Sequence, residues 1–404
     1  MPAHSPELRR AMFGVFVAFA LNGVAVATWI SRLPAVADIL DLGPAQIGLL
    51  IFGASAGAIL GLLAATAIVH RLGARGAIIV MLVIGGFGMA LLGLATSIVP
   101  VFALAIVAMA IFGMAWSICD VAMNVEGTVV EREMGRTLMP WFHAGWSVGS
   151  VTGAGIGAAF AFAAIVPGIH FALIGVVLLL TAALIPRLLP RTLDDEATEA
   201  AAGERSGFRA QLAAWAEPRT LLIGVLVLGM AFAEGSANDW LTVAMKVDRG
   251  FDDGQSALLF ALFSVAMTFG RIVGVPILDR FGRVPVLRVA VVMAALGLAV
   301  VILVPFTPVM IAAIVVWGLG AALGFPVGMS AAGDNPVGAA ARVSAVATIA
   351  YCAFLVGPPL IGFVGEHIGI LNALWIVFGL IVIAGFAVPA AREPGAASSE
   401  KARK

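Results

Sequence analysis

Long apolar runs alternate along the chain with short breaks marked by charge, proline or glycine. Cut at those breaks, the sequence falls into apolar segments near 11–30, 45–69, 76–96, 99–122, 138–164, 168–189, 219–244, 255–278, 286–304, 308–332, 342–364 and 370–390. A hydrocarbon core of ~30 Å takes about 20 residues of helix, and in lipid a helix satisfies every backbone group within its own segment. The pattern therefore predicts twelve membrane-spanning helices. A barrel is excluded, because the apolar residues come in blocks of Leu, Ala, Val, Ile and Gly rather than in alternation, and one tyrosine builds no aromatic girdle.

The basic residues test that count independently. With a cytoplasmic N-terminus, twelve spans put 19 of the 23 basic residues on the inner side and leave only Arg32, Lys246 and Arg249 outside, with Arg271 inside a span. Removing one span would invert half of this map, so the positive-inside rule supports twelve spans with both termini cytoplasmic. The one long polar stretch, 187–218, carries Asp194, Asp195, Glu196, Glu199 and Glu204 and divides the spans six and six. This predicts an N-terminal bundle over 1–190, a cytoplasmic linker over 191–217 and a C-terminal bundle over 218–404. Residues 208–215 have the weak look of a short amphipathic helix on the membrane surface. Arg9 and Arg10 before an apolar run resemble a secretory leader, but the run is span-length and more spans follow, so it reads as the first transmembrane helix.

Composition agrees: the chain of 404 residues is 62% hydrophobic and 11% charged, with a mean hydropathy of +1.09. A net charge of zero gives no reason to expect nucleic acid as a partner. Cys119 and Cys352 fall within apolar stretches and read as small buried hydrophobes. No lysine follows a glycine in the spacing of a phosphate-binding loop, the five histidines and two cysteines lack metal-ligand spacing, and Gly153, Gly155 and Gly157 lie inside a span with no preceding strand. Neither an enzyme nor a cofactor or metal is predicted.

The halves repeat. The stretch 70–75, with Arg71, Gly73 and Arg75, has a counterpart at 279–283, with Asp279, Arg280, Gly282 and Arg283, each between the second and third spans of its half. With these residues the chain resembles the major facilitator superfamily, whose signature G-x-x-x-D-R-x-G-R-R is present here in two degraded copies. The first copy has His70 where the family has an acid. The resemblance implies an all-α polytopic fold, twelve transmembrane helices in two pseudo-symmetric six-helix bundles. It also implies alternating access driven by a proton gradient, with the motif and Asp334 gating the cytoplasmic side. Because His70 replaces the acid, the cytoplasmic latch is expected to lean on Asp279, with Arg71 and Arg75 near the eleventh span. Stretches 120–131, 143–149 and 234–240 resemble the branch related to fucose permease.

Independently of the family, an ionisable side chain at mid-bilayer costs ~2.5–3.5 kcal/mol on insertion scales, so it faces a cavity or a partner. In the fourth span Asp120, Asn124 and Glu131 share a face, with Glu126 turned away. They read as a cavity carboxylate group or as a polar helix end in water. His143 and Ser147, one turn apart in the fifth span, are placed to act with Asp120 in proton transfer. In the seventh span Glu234 and Asn238 share a face, followed by Asp239 and by Trp240 as an interfacial anchor. Glu234 is either a coupling acid or an ion-pair partner of Arg271, and Arg271 has Asp334 as its other candidate partner. Asn22, mid-span in the first helix, binds substrate or a neighbouring helix.

Glycine ladders at 53, 57, 61 and at 149, 153, 157 predict close helix packing. The family resemblance implies that they face the eleventh and eighth spans across a moving interface. Together these features predict a monomeric secondary transporter in the bacterial inner membrane. Its expected task is proton-coupled import of a sugar-like or other small polar solute, with lipid around it. Two further readings stay open: proton-coupled efflux of amphiphilic compounds and a non-transporting membrane sensor.

Overall fold

The computed structural model describes residues 6–135, 138–189, 213–335 and 338–393. Among them every regular element is a helix: α1 (Pro6–Leu40), α2 (Pro44–Ser97), α3 (Phe102–Met134), α4 (Met139–Phe162), α5 (Pro167–Leu188), α6 (Pro218–Arg249), α7 (Asp253–Phe281), α8 (Arg283–Leu303), α9 (Thr307–Ala321), α10 (Gly324–Ala332), α11 (Ala339–Ile368), α12 (Ile370–Ala373), α13 (Trp375–Ala387) and a closing 3-10 turn, Val388–Ala391. Ten stretches are long and apolar enough to cross a membrane. The twelve predicted spans map onto them once two features are counted. The 54 residues of α2 would run about 80 Å if straight, and Gly73 breaks them into two spans. The helix α4, with 24 residues, has the length of a crossing while His143, Ser147, Ser150 and Thr152 dilute its apolarity.

Helix ends differ from the apolar limits where a charge has found a partner. The first span extends ten residues beyond the predicted 30 to Leu40, because Arg32, 3% exposed, donates to the carbonyls of Gly157 (3.5 Å) and Ile165. The seventh continues to Arg249, whose guanidinium donates to Val301 O at 2.9 Å and Ile302 O at 2.7 Å, the orphan carbonyls at the end of α8.

The chain forms two compact units, one of residues 1–203 with 250–261, the other of 204–249 with 262–404. In the first, the glycine ladders determine the packing and correct the expected partners. A Cβ on Gly53, Gly57 or Gly61 would run into Ile106, Ala110 or Met114 of α3, and one on Gly149, Gly153 or Gly157 into Ala20, Val24 or Ser31 of α1. Both ladders therefore serve contacts inside their own unit, where backbones touch without intervening side chains. In the second unit, Gly297 and Gly320 bring α8 and α9 together in the same way. Most of the predicted linker lies outside the described residues. Its end, 213–216, is one helical turn whose Ala214 packs on Ala341 and Ala345 of α11 while Trp215 stays 43% exposed. Cys119 is buried as expected; Cys352 is exposed on α11, a correction to the buried reading.

Candidate functional site

Polar side chains within the spans gather in each unit separately. In the first they come from α1, α3 and α4. Asp120 lies a little past the middle of α3, half-buried, and its carboxylate has no hydrogen-bond or ion-pair partner among the described residues. Asn124 donates its amide to the backbone carbonyl of Asp120 at 2.8 Å, and Thr128 repeats that bond to Asn124 at 2.9 Å. Asn22, 5% exposed, points its amide at the Met123 sulfur, 3.8 Å away. A thioether is a weak acceptor, so the amide keeps most of its donor capacity.

His143 does not reach Asp120. Its ring meets the edge of Phe19 at 5.1 Å and stays exposed, and Ser147 donates its hydroxyl to the His143 backbone carbonyl at 3.2 Å. Glu131 accepts the amide hydrogens of Leu138 (2.5 Å) and Met139 (2.7 Å), so it caps the start of α4 and leaves the polar face of α3. Glu126, which lies off the face of Asp120 and Asn124, is 0% exposed inside the unit.

In the second unit α6 carries the polar set. Glu234, at mid-helix, takes Nη2 of Arg271 from α7 on both carboxylate oxygens at 3.0 Å, and Arg271 also donates to Ala322 O at 3.4 Å. Glu234 thereby becomes the partner of Arg271, and Asp334 does not. One turn on, Asn238 and Asp239 are half-buried, and neither side chain has a hydrogen-bond partner among the described residues. Trp240 is 0% exposed, a packed core side chain rather than the expected interfacial anchor.

The two motif copies share a backbone. Gly73 has φ 72°, ψ 162° and Gly282 has φ 77°, ψ 167°, a region open essentially to glycine alone. Their charges are used differently. Arg75 donates to Pro186 O at 3.2 Å. Arg283 binds Asp334 at 2.7 Å, and Arg219 from the start of α6 binds the other oxygen of Asp334 at 2.7 Å. Arg219 also reaches Ala390 O (3.0 Å) and Arg392 O (3.1 Å), and Arg342 lies 3.6 Å from Glu217. Asp334 is the hub of this cluster. Asp279, on which the latch was expected to lean, is exposed with no ion-pair partner among the described residues, and His70, Arg71 and Arg280 are exposed as well.

Sequence reasoning missed Arg219 and His170, and gave Glu126 no role. The last is 1% exposed, packed at 4.6 Å from the Phe160 ring, with neither ring nitrogen hydrogen-bonded among the described residues. Arg219 was legible only as one more inner-side charge. Among the described residues no group of His, Cys, Asp and Glu is placed to hold a metal ion.

An all-helical membrane chain in two units, with matching motif turns and mid-span carboxylates, has the architecture of a membrane transporter. The chain belongs to the Major Facilitator Superfamily, whose family model matches residues 11–354 and 240–404. It is 32% identical to an uncharacterized transporter of Sinorhizobium fredii over 87% of this chain and 90% of the relative. It is 30% identical to an uncharacterized MFS-type transporter of Yersinia pestis over 91% of each. Among solved structures it superposes on the nucleoside transporter NupG with a TM-score of 0.74, at 16% identity and covering 96% of this chain and 99% of that one. It superposes on FucP in the outward conformation with a TM-score of 0.64, at 17% identity and covering 95% and 99%. At that identity the two structures speak for the fold alone.

Proposed function

We propose that this transporter imports a small polar, sugar-like solute by alternating access, coupled to protons, as a monomer in the bacterial inner membrane with both termini cytoplasmic. The observation that carries the reading is the pair of half-buried carboxyls, Asp120 and Asp239, one in each unit, each without a side-chain partner among the described residues and each close in sequence to an asparagine. An acid at that depth is retained where it meets a proton or a polar substrate. Asn22, Asn124 and Asn238 supply the amide groups that pair with hydroxyls, and His143 and Ser147 border them. Glu234 with Arg271 orients α6 against α7 and sets the position of Asn238 and Asp239. The hub at Asp334, with Arg219 and Arg283, and the turns carrying Arg71, Gly73, Arg75, Asp279, Arg280 and Gly282 serve the cytoplasmic gate. NupG is titled a nucleoside transporter and FucP of Escherichia coli a fucose:proton symporter; both descriptions suit the polar-solute reading.

The test begins with thermal unfolding of the purified protein against sugars, polyols, nucleosides, organic acids and lipophilic cations. A ligand at 100 times its Kd stabilises by ~2.7 kcal/mol. Hits among the first three classes, followed by uptake into proteoliposomes that responds to an imposed pH gradient, are expected. Asp239→Asn and Asp120→Asn should then abolish the response to the gradient while ligand exchange without a gradient persists. Hits confined to lipophilic cations would replace import with efflux.

A further inference from the structure

The second unit carries a feature that borders the motif turn: an apolar groove of about 470 Å3 between α7 and α8, within the usual ~300–1,000 Å3 of ligand sites. One wall repeats every fourth residue along α7, at Phe269, Val273, Ile277 and Phe281. Val289 of α8 forms part of the other wall and is 59% exposed; Leu323 contributes to the floor. Such a slot suits one extended hydrocarbon chain rather than a compact solute.

Its end is basic. The Arg280 guanidinium lies over the ring of Phe281, 5.3 Å from its centroid, and Phe281 lines the groove. Arg280 is exposed and has no ion-pair partner among the described residues, and neither does Arg288, exposed beside Val289. Between them α8 begins at Gly282 with no side-chain cap, so its first amide hydrogens add positive potential. Three acids lie at this end: Asp334 and Glu393 are taken up by Arg283, at 2.7 and 3.6 Å, and Asp279 is exposed and unpaired among the described residues.

From this juxtaposition we infer that the α7–α8 groove holds one anionic phospholipid, an acyl chain lying along Phe269 to Phe281 and the phosphate between Arg280 and Arg288. Lipid tails are as apolar as the groove, so the chain supplies fit and the arginines supply selectivity, about fivefold for each. A second copy of the protein is the poorer occupant, because a two-fold contact on this face sets Arg280 and Arg288 near their own copies.

The experiment is native mass spectrometry of the full chain released from nanodiscs of equal phosphatidylglycerol and phosphatidylcholine. One phosphatidylglycerol per protein is expected to survive detergent washing. Val289→Trp fills the groove and should remove it, with unchanged thermal unfolding in detergent showing that this variant is folded. Arg280→Gln with Arg288→Gln should bring retention of the two lipids to parity, a loss of about 25-fold in preference. Equal retention of both lipids by the unaltered protein, or phosphatidylglycerol still bound to Val289→Trp, would overturn the assignment. So would a dimer that Val289→Trp dissociates, or preferential retention of phosphatidylethanolamine when that lipid replaces phosphatidylcholine, since Asp279 would then be the group reading the headgroup.

Discussion

The two motif turns of the molecule have almost the same backbone and differently placed arginines. Gly73 and Gly282 agree within about 5° in both dihedrals. The arginine two residues past Gly73 ends on a helix-terminal carbonyl, Pro186 O, whereas the one just after Gly282 is locked to Asp334, which Arg219 also holds. The shape of a repeat is set by backbone sterics that only glycine meets, so it outlasts changes in the charges around it. The mid-span sites diverge in the same sense: among the described residues Asp120 has no side-chain partner in the first unit, while in the second Glu234 is paired with Arg271 and Asp239 is unpaired.

The comparison can be broken most severely through its shared scaffold. Gly57→Leu and Gly149→Leu put side chains into the backbones of α3 and α1. Each should cost more than about 4 kcal/mol and leave no monodisperse protein by fluorescence-detected size exclusion. Gly155→Leu, on the same helix as Gly149 but with nothing within 4 Å of its Cβ, should elute as the parent does. Next comes the paired acid. Glu234→Gln leaves Arg271 uncompensated and should lower unfolding stability by about 3 kcal/mol, with a double-mutant cycle through Arg271→Gln recovering much of it. Asp120→Asn removes no partner and should lower stability by less than about 0.5 kcal/mol while abolishing the gradient response. Asp334→Asn, which strands two arginines, should cost about 2–3 kcal/mol, against about 1 kcal/mol for loss of the neutral-acceptor bond to Pro186 O in Arg75→Gln. Most diagnostic of the repeat, Gly73→Ala and Gly282→Ala should each cost about 1–2 kcal/mol, by equal amounts; a clear inequality in denaturant unfolding would dissolve the equivalence of the two turns.

Much of the fold was legible because lipid imposes one rule on every segment. Apolar length and the sidedness of arginines located the spans, and the repeat at 70–75 and 279–283 located the turns. Helix ends were misread wherever a charge was satisfied inside the protein, as at Arg32 and Arg249, since hydropathy scores a charge without knowing its partner. The glycine ladders were visible but their partners were not: small residues at a spacing of four say that a backbone approaches, never which one. The polar residues of α3 and α6 were found, yet their division into capping, pairing and free groups depends on a third helix or loop in each case. Glu131 reads as the headgroup end of a polar face until Leu138 and Met139 fold back onto it, and Glu126, off that face, shows nothing of its burial until α3 is surrounded.

The carbonyl grip on Arg32 sets a timetable for synthesis. Its acceptor Ile165 lies 133 residues downstream, and at ~5–20 residues per second a ribosome needs on the order of ten seconds to reach it. For that interval the newborn first helix holds a guanidinium whose eventual acceptor does not yet exist, so Arg32 can take its final seat only after the segment beyond α4 has been made. At this contact the assembly of the first unit is thereby ordered in time, its oldest helix waiting on residues made long after it.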